Sequence, residues 1–367
     1  MRIDSARALA WRMERQFLEP ACAGEVDDVV ARLVAVPAWS GDAQYAVGVR
    51  RERPVRGDVG AALADGRIVK VFAFRGSTQV LTPENAAIHL ALRAASRMWE
   101  RRSWQTHYDL TPTDWPALRE AVREAVEAGP LTPAELAEAV TAHPGFRHLG
   151  PALSRVDTFL KPFFWQGDLC FGPSRDGEPT LQALGHNPRW TGMPDLDDAG
   201  RRAIRAYLAA YGPATSAHLQ YWLGEGLGAG KRRIEGWLTD LGDDVTALDL
   251  DGAGALVLTE HANELAATDT TKAVRFLAGH DQWVLGPGTA DPQVVPPELR
   301  PAVTRGANVV ISGGVVAGTW KVADETLAVA WSGPAGPPAE ALHEQAERVG
   351  ALLGRPIAEV RVTRVRL

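Results

Sequence analysis

A unit of helices followed by a β-hairpin occurs three times along the chain, and this repeat limits the possible folds more than any other feature. In the clearest copy, residues 199–211 and 231–242 have helical periodicity. Residues 213–216, Pro-Ala-Thr-Ser, predict a turn and an N-cap that open a helix between them. Residues 245–260 then alternate apolar and polar positions on both sides of Asp251-Gly252, which predicts a hairpin. Three helices and a two-stranded wing form a winged helix-turn-helix.

Two earlier copies of this unit precede it. The second copy covers about residues 113–185, with a helix opened by Thr132-Pro133, a third helix over residues 151–167 and a hairpin turning at Asp176-Gly177. The first copy is less regular, and its wing, IVKVFAFRGSTQVLTPEN, turns near Arg75-Gly76. Its helices are predicted in MERQFLE, VDDVVARLVAV and VGAALADGR.

After residue 267 the pattern changes to short strands with glycine turns, interrupted by one helix in AEALHEQAERVGALLG. This composition is typical of a small β-barrel or sandwich. The sequence therefore predicts an α+β fold with three tandem winged-helix units followed by a C-terminal β-barrel. We expect the boundaries at 1–111, 112–198, 199–266 and 267–367.

Several classes of protein are disfavoured by the composition. No stretch approaches eighteen uncharged apolar residues, and the charged N-terminus lacks the apolar segment of a secretory signal, so we expect a cytoplasmic protein without a membrane span. Cys22 and Cys170 are not in a Cys-x-x-Cys pattern, and the nine histidines have no i, i+4 pairing. We therefore expect neither a metal nor a cofactor.

Winged helices mostly dock on DNA, although some serve as protein-interaction scaffolds. The net charge of −6 argues weakly against nucleic acid, but arginines cluster locally. Each cluster is consistent with phosphate contact or with an ordinary solvated face, and i, i+4 spacing predicts that the second cluster shares one side of a helix. The candidate DNA-binding residues are Arg50, Arg51 and Arg53 in the first cluster, and Arg93, Arg97 and Arg101 in the second.

Four segments resemble the AlkZ/YcaQ-type family of bacterial winged-helix DNA glycosylases, namely AIRAYLAAYGPATSAHLQYWLG, GDLCFGPSRDGEPT, VFAFRGSTQVLT and GGVVAGTWK. The resemblance extends over essentially the whole chain. It implies the tandem winged helices and barrel described above. It also implies hydrolysis of the N-glycosidic bond of alkylated purines, mainly N7-alkylguanines and their crosslinks, without a metal. Some members of that family protect antibiotic producers from their own DNA-alkylating product.

The catalytic motif of that family, Gln-x-Gln or Gln-x-Asp, is absent at the corresponding positions. Here the residues are Pro37-Ala38-Trp39, and neither Pro37 nor Trp39 can orient a water through a carboxamide. The nearest acid is Asp42, which is either a replacement for the motif or a turn residue after Gly41. Gln44 is the nearest carboxamide or a plain surface residue. Trp39 either stacks on the lesion or packs in the core.

Two further segments supply candidates. In GHDQWVLG, His280 and Asp281 either act on the attacking water and hold the site, or Asp281 caps backbone N–H groups. RGSTQ resembles a family segment that commonly reads Arg-Gly-Thr-x-His, and it provides Arg75 for phosphate contact or for bracing the site. Gln79 occupies the histidine position of that segment.

Taken together with this resemblance, the sequence predicts a monofunctional DNA glycosylase for a bulky N7-alkylguanine adduct, and the resemblance adds antibiotic self-resistance as the expected role. It would act as a monomer on double-stranded DNA carrying alkylated guanine, in the cytoplasm at the nucleoid. Two alternatives remain, a catalytically inert DNA-lesion binder and a winged-helix transcription regulator. Base release separates the first alternative from an enzyme, and retention of one specific promoter fragment would indicate the second.

Overall fold

The computed structural model describes residues 1–39 and 43–365. Helices and strands are mixed along the whole of this part, as an α+β fold requires. Within the same residues, no helix combines the length and apolar character that crossing a bilayer demands. The candidate Asp42 lies outside the described residues.

The first part of the chain contains the hairpin predicted around Arg75-Gly76 and a further strand beside it that the sequence did not predict. Its elements are, in order, β1 (Arg2–Ile3), α1 (Ser5–Arg15), α2 (Val26–Leu33), β2 (Val36–Pro37), α3 (Ala43–Gly48), α4 (Asp58–Ala64), β3 (Val69–Phe72), β4 (Thr78–Leu81), α5 (Pro83–Ala94) and α6 (Arg102–Tyr108). The hairpin turns through Phe74–Gly76, where Arg75 and Gly76 have φ of 51° and 69°. Strand β2 pairs with β4, so the sheet order is β2-β4-β3.

Helix α5 corrects one expectation about the arginines. Thr82 caps its start by accepting a hydrogen bond from the backbone N–H of Asn85, and the helix ends at Ala94. Arg97 then adopts a left-handed φ of 43°, which a continuing helix does not allow. The prediction that Arg93, Arg97 and Arg101 share one helix side is therefore wrong.

The second part of the chain again has helices followed by a hairpin. Its elements are α7 (Trp115–Val126), α8 (Pro133–Thr141), α9 (Gly150–Leu153), α10 (Lys161–Trp165), β5 (Leu169–Arg175) and β6 (Glu178–Ala183). Thr132 caps α8 as predicted, in a capping box with Glu135. The hairpin turns at Asp176-Gly177, both with positive φ, which the sequence also predicted. The single third helix expected over 151–167 is instead broken into α9 and α10.

The third part follows the predicted order most closely. Its elements are α11 (Leu196–Tyr211), α12 (Ser216–Leu219), α13 (Lys231–Leu241), β7 (Val245–Leu250) and β8 (Ala253–Leu258). Thr215 caps α12, which continues into a π-helical turn over Gln220–Glu225. The turn at Asp251-Gly252 has positive φ at both residues. Strand β1 pairs in parallel with β7, so the start of the chain completes this sheet.

The last part forms a five-stranded sheet with the order β13-β12-β11-β10-β9. Its elements are α14 (Ala262–Ala267), β9 (Val274–Leu277), α15 (Gln282–Leu285), α16 (Arg300–Thr304), β10 (Asn308–Ser312), β11 (Val315–Ala323), β12 (Thr326–Trp331), α17 (Ala339–Leu353) and β13 (Glu359–Arg364). The sheet ends at β13 and β9, so among the described residues it is open, and the expected closed barrel is not present. The predicted helix is α17.

Contacts between distant parts of the chain bring the site together. Tyr45 donates a hydrogen bond to the carbonyl of Phe276 over 2.9 Å, which ties α3 to β9. Tyr211 donates to the carbonyl of Leu33 over 2.6 Å, which ties α11 to α2. One apolar cluster combines α1 and α3 with the five-stranded sheet. Residues 35–39 and 43–50 therefore pack in the same region of the molecule as residues 211–222 and 276–285.

Candidate active site

A cavity of about 320 Å³ lies where three parts of the chain meet. The β2–β4 sheet and its turn form one wall, the π-helical turn forms a second, and residues 280–304 form a third. Aromatic rings dominate two of these walls, and the Phe74 and Trp222 rings lie 4.3 Å apart between centroids. The lining residues are Trp39, Phe74, Arg75, Ser77, Gln79, Tyr221, Trp222, His280, Gln282, Leu285, Thr289 and Thr304. A concave apolar site with a few polar groups is the usual form of a ligand site.

Trp39 follows β2 and reaches the cavity with its ring partly in solvent. The backbone N–H of Ala38 donates to the carbonyl of Thr78 over 3.0 Å, which fixes the chain just before it. The Trp39 side chain is 42% exposed, and its ring centroid is 5.5 Å from that of His280. Nine of the other tryptophans are buried, so most of them serve the core. Trp39 instead presents a face on which a flat ligand can stack.

His280 and Asp281 point in different directions. His280 has a left-handed φ of 60° and lines the cavity. Asp281 is 2% exposed and accepts a hydrogen bond from the backbone N–H of Trp283 over 2.8 Å, so it caps α15. Its carboxylate is also bound by Arg50. Asp281 is therefore a structural group here, and only His280 of this pair reaches the cavity.

Three of the candidate DNA-binding arginines are buried. Arg50 binds Asp281, and Arg51 binds Asp58 and the carbonyl of Gly24. Arg93 lies over the Trp165 ring at 4.2 Å, and burial, with a smaller effect from the charge of Arg101, lowers its pKa. All three guanidinium groups are largely buried and engaged by partners inside the protein, so their geometry supports packing roles.

The remaining arginine candidates are exposed. Arg53 and Arg101 reach solvent, and Arg97 pairs with Glu100 over 2.8 Å. Arg75 lies 4.1 Å from the centre of the Tyr221 ring and donates to the Tyr221 carbonyl over 3.4 Å. Its side chain is 41% exposed at the edge of the cavity. Arg75 can therefore brace Tyr221 and still contact a ligand.

Gln44 has its carboxamide fully engaged away from the cavity. Its Nε2 donates to the carbonyl of Val55 over 3.1 Å and to Oδ1 of Asp58 over 2.8 Å. Its Oε1 accepts from the backbone N–H of Val59 over 3.3 Å. These bonds hold the start of α4, so the contacts of Gln44 favour a structural role.

Comparison with known proteins decides the family. The family model described as DNA glycosylase AlkZ-like matches residues 30–352. The chain belongs to this AlkZ-like DNA glycosylase family. The enzyme class predicted from the sequence, a DNA glycosylase, is thereby confirmed, and DNA is confirmed as its substrate.

The comparison of sequences and the comparison of structures both find similarity between this AlkZ-like glycosylase and a glycosylase of Streptomyces sahachiroi. The protein named "Interstrand DNA cross-link repair glycosylase" is 39% identical over 338 residues, which cover 90% of this chain and 91% of that protein. The solved structure of Streptomyces sahachiroi DNA glycosylase AlkZ superposes with a TM-score of 0.92 at 36% identity, covering 100% of both chains. The mixed α+β fold is thus that of a solved DNA glycosylase.

The carboxamides at the cavity of this AlkZ-like glycosylase come from residues that were not among the site candidates predicted from the sequence. Pro37 and Trp39 have none, but Gln79 and Gln282 both line the cavity. Gln79 lies directly opposite Pro37 in the β2–β4 pair, and Gln282 follows Asp281 in the chain. Their position in the sequence was the available signal, because Gln79 and Gln282 lie inside RGSTQ and GHDQWVLG, the two segments that supplied Arg75, His280 and Asp281 as candidates. Among the described residues, no group of three or more His, Cys, Asp or Glu side chains is placed to hold a metal ion.

Proposed function

We propose that this enzyme is a monofunctional DNA glycosylase that removes guanine carrying a bulky alkyl group on N7 from double-stranded DNA. The observation that carries this proposal is the cavity beside Trp39, with a volume of about 320 Å³ and walls rich in aromatic rings. A flat apolar adduct gains contact with these rings that a methyl group does not. The preferred substrate is therefore the bulky adduct and not 7-methylguanine.

The chemistry requires water and a base that leaves easily. Alkylation at N7 makes the base cationic, so the C1′–N9 bond breaks with its electron pair passing to N9, and the modified base leaves neutral. The sugar carries the positive charge that develops at C1′. A water oxygen then bonds to C1′ and loses one proton to solvent, which leaves an abasic site.

Trp39 and His280 form the mouth of the cavity in this proposal. Their rings are 5.5 Å apart between centroids, and Trp39 is partly exposed. An adduct that enters beside Trp39 stacks on its indole, while His280 packs against the same side chain at a tilt of 55° between the rings. Asp281 acts on the site indirectly, because the ion pair with Arg50 fixes the residues on both sides of it.

We also propose the finer architecture expected from the sequence. Residues 1–111, 112–198 and 199–266 would each be a winged-helix unit, and 267–367 a separate β-rich unit. The order of helices and hairpins in each of the first three parts supports this. Tandem units give one chain several contacts with a duplex, so the enzyme would act as a monomer on nucleoid DNA in the cytoplasm. The exposed candidates for phosphate contact are Arg53, Arg75, Arg97 and Arg101.

The name of the Streptomyces sahachiroi relative extends this proposal to interstrand cross-links. A cross-link formed through guanine N7 contains the same cationic base and the same glycosidic bond as a simple adduct. Such a lesion is bulky and carries its substituent towards the opposite strand. We therefore include cross-links made by DNA-alkylating antibiotics among the substrates, with self-resistance as the biological role.

A second candidate function is a catalytically inert lesion binder. The observation that favours it is the Pro-Ala-Trp sequence at residues 37–39, which leaves the positions of the family motif without a carboxamide. Such a protein would use the same cavity and the same stacking on Trp39. It would bind adducted DNA without breaking the C1′–N9 bond.

The test uses three matched duplexes with the protein in excess. One carries a single N7-guanine adduct of a planar aromatic epoxide, one carries 7-methylguanine, and one is unmodified. Abasic sites are counted after alkaline cleavage, and binding is measured on the same duplexes by anisotropy. We expect abasic sites on the bulky adduct at least about tenfold faster than on 7-methylguanine, given the extra stacking. Tight binding of the adduct without abasic sites would support the inert binder.

A further inference from the structure

Gln79 presents a buried acceptor oxygen at the wall of the cavity. The side chain is 3% exposed, and its Nε2 donates to Oγ of Ser77 over 2.9 Å. The Ser77 hydroxyl uses its own proton on the carbonyl of Phe74 over 2.8 Å, so it can only accept from Gln79. This fixes which end of the carboxamide is nitrogen. Oε1 of Gln79 is left without a hydrogen-bond partner among the described residues.

Gln282 presents a second acceptor from the wall formed by residues 280–304. The residue begins α15 and is 3% exposed. Its Nε2 donates to the carbonyl of Ala35, and a carbonyl can only accept, so the orientation of this carboxamide is fixed as well. Oε1 of Gln282 also lacks a partner within the described part of the chain.

Two such oxygens in one cavity need an explanation, because leaving a buried acceptor unpaired costs about 1–3 kcal/mol. Buried glutamine oxygens without a partner occur in the described residues at Gln16, Gln79, Gln220 and Gln282. Of these, only Gln79 and Gln282 line the cavity beside Trp39. Their shared position indicates a group with two hydrogens to donate, held between the two walls.

We propose that Gln79 and Gln282 hold the attacking water, and this inference rests on the function proposed above. Each Oε1 accepts one O–H of the water, which leaves an oxygen lone pair free to attack C1′. The same two oxygens carry partial negative charge and stabilise the positive charge on the sugar. Neither carboxamide takes a proton, because amides are too weakly basic. The proton leaves to solvent after the C1′–O bond has formed.

The test replaces each carboxamide by an apolar group of similar size. Gln79→Leu and Gln282→Leu are compared with Gln345→Leu, a matched control because Gln345 is 6% exposed in α17 and does not line the cavity. Single-turnover base release is measured on the duplex with the aromatic N7-guanine adduct, and the Kd is measured separately. We expect each cavity variant to lower the rate by about 10- to 100-fold, within the range for loss of a positioned polar group. The Kd stays within about threefold, and the control keeps the wild-type rate.

Gln79→Glu separates this role from a structural one. A glutamate keeps the acceptor oxygens, and the Ser77 hydroxyl can turn to donate to it, so we expect most of the rate to return. Wild-type rates in both leucine variants would overturn the inference while wild-type base release still supports the proposed function. Loss of rate and binding together, without recovery in Gln79→Glu, would also overturn it. Failure of the wild-type enzyme to release base would instead contradict the proposed function itself.

Discussion

Arg50 binds Asp281 through two hydrogen bonds, Nη2 to Oδ1 at 2.6 Å and Nη1 to Oδ2 at 2.8 Å. Both side chains are 0% exposed, so the pair is entirely buried. It joins the end of α3 to the loop before α15. Because His280 and Gln282 flank Asp281, this pair holds one wall of the cavity in place.

The ion pair predicts a large loss of stability when one partner is removed. Asp281→Asn leaves the Arg50 charge buried without a counter-charge, which typically costs about 3–5 kcal/mol. The free energy of unfolding from urea titration measures this loss. The double variant Arg50→Met with Asp281→Leu removes both charges and should recover most of it. A fully stable Asp281→Asn would contradict the structural role.

Trp39 predicts selective recognition of the adduct. Trp39→Ala should weaken binding of the adducted duplex by about 1–3 kcal/mol, the usual range for loss of a stacking ring. Stability should be unchanged, because the side chain is 42% exposed. Trp39→Phe is the control that keeps a ring. Equal weakening of adducted and unmodified duplexes would show that Trp39 does not contact the lesion.

Because the His89 side chain is buried, we expect the protein to lose stability in acid. Its Nδ1–H donates to the carbonyl of Asn85 over 2.7 Å, and Nε2 is buried without a partner among the described residues. Burial lowers the pKa of His89 from 6.5 to about 4. Between these two pH values the unfolded chain binds more protons than the folded one, so stability falls as the pH falls.

The measurement compares unfolding at pH 7 and pH 4.5. The wild type should lose about 2–3 kcal/mol more than His89→Leu over this interval. His343→Ala, at an exposed histidine of α17, is the control and should behave as wild type. An identical pH dependence in wild type and His89→Leu would contradict the lowered pKa.

A side chain added at Gly306 is expected to displace the ring of His280. Gly306 has a φ of 87°, and a Cβ there would lie 2.5 Å from Cε1 of His280. Gly306→Ala should therefore displace the His280 ring and slow base release severalfold. It should also lower stability by about 1 kcal/mol through the left-handed backbone.

Gly177→Ala is the matched control for this substitution. Gly177 has a similar φ of 84° in the β5–β6 turn, but nothing lies within 4 Å of its added Cβ. Unfolding and base release are measured on both variants. We expect similar losses of stability in the two variants and slower base release only in Gly306→Ala. Equal rates of base release would show that His280 does not affect the reaction.

The sequence predicted the features that depend on neighbouring residues. The Asp-Gly turns at 176–177 and 251–252 and the cap at Thr132 need only local chemistry, and the structure has all three. The end of α5 at Ala94 was missed, because no proline or glycine marks it. The open sheet was also missed, since closure depends on how distant strands meet.

The site was harder to predict, because its geometry comes from residues far apart in the chain. Arg50 is one arginine among several in the sequence, and only its burial against Asp281, 231 residues away, distinguishes it. Gln79 and Gln282 are likewise unremarkable until the fold places both at one cavity. Trp39 could be identified as a candidate, but its exposure could not.

The proposed function is cleavage of the glycosidic bond of a bulky N7-guanine adduct, with the DNA strand left intact. The most direct measurement is mass spectrometry of the material released from a duplex with one such adduct, with abasic sites counted in parallel before alkaline treatment. We expect one intact modified base for each abasic site, with the strand unbroken. Adduct retained on a tightly bound duplex, with no free base, would contradict it.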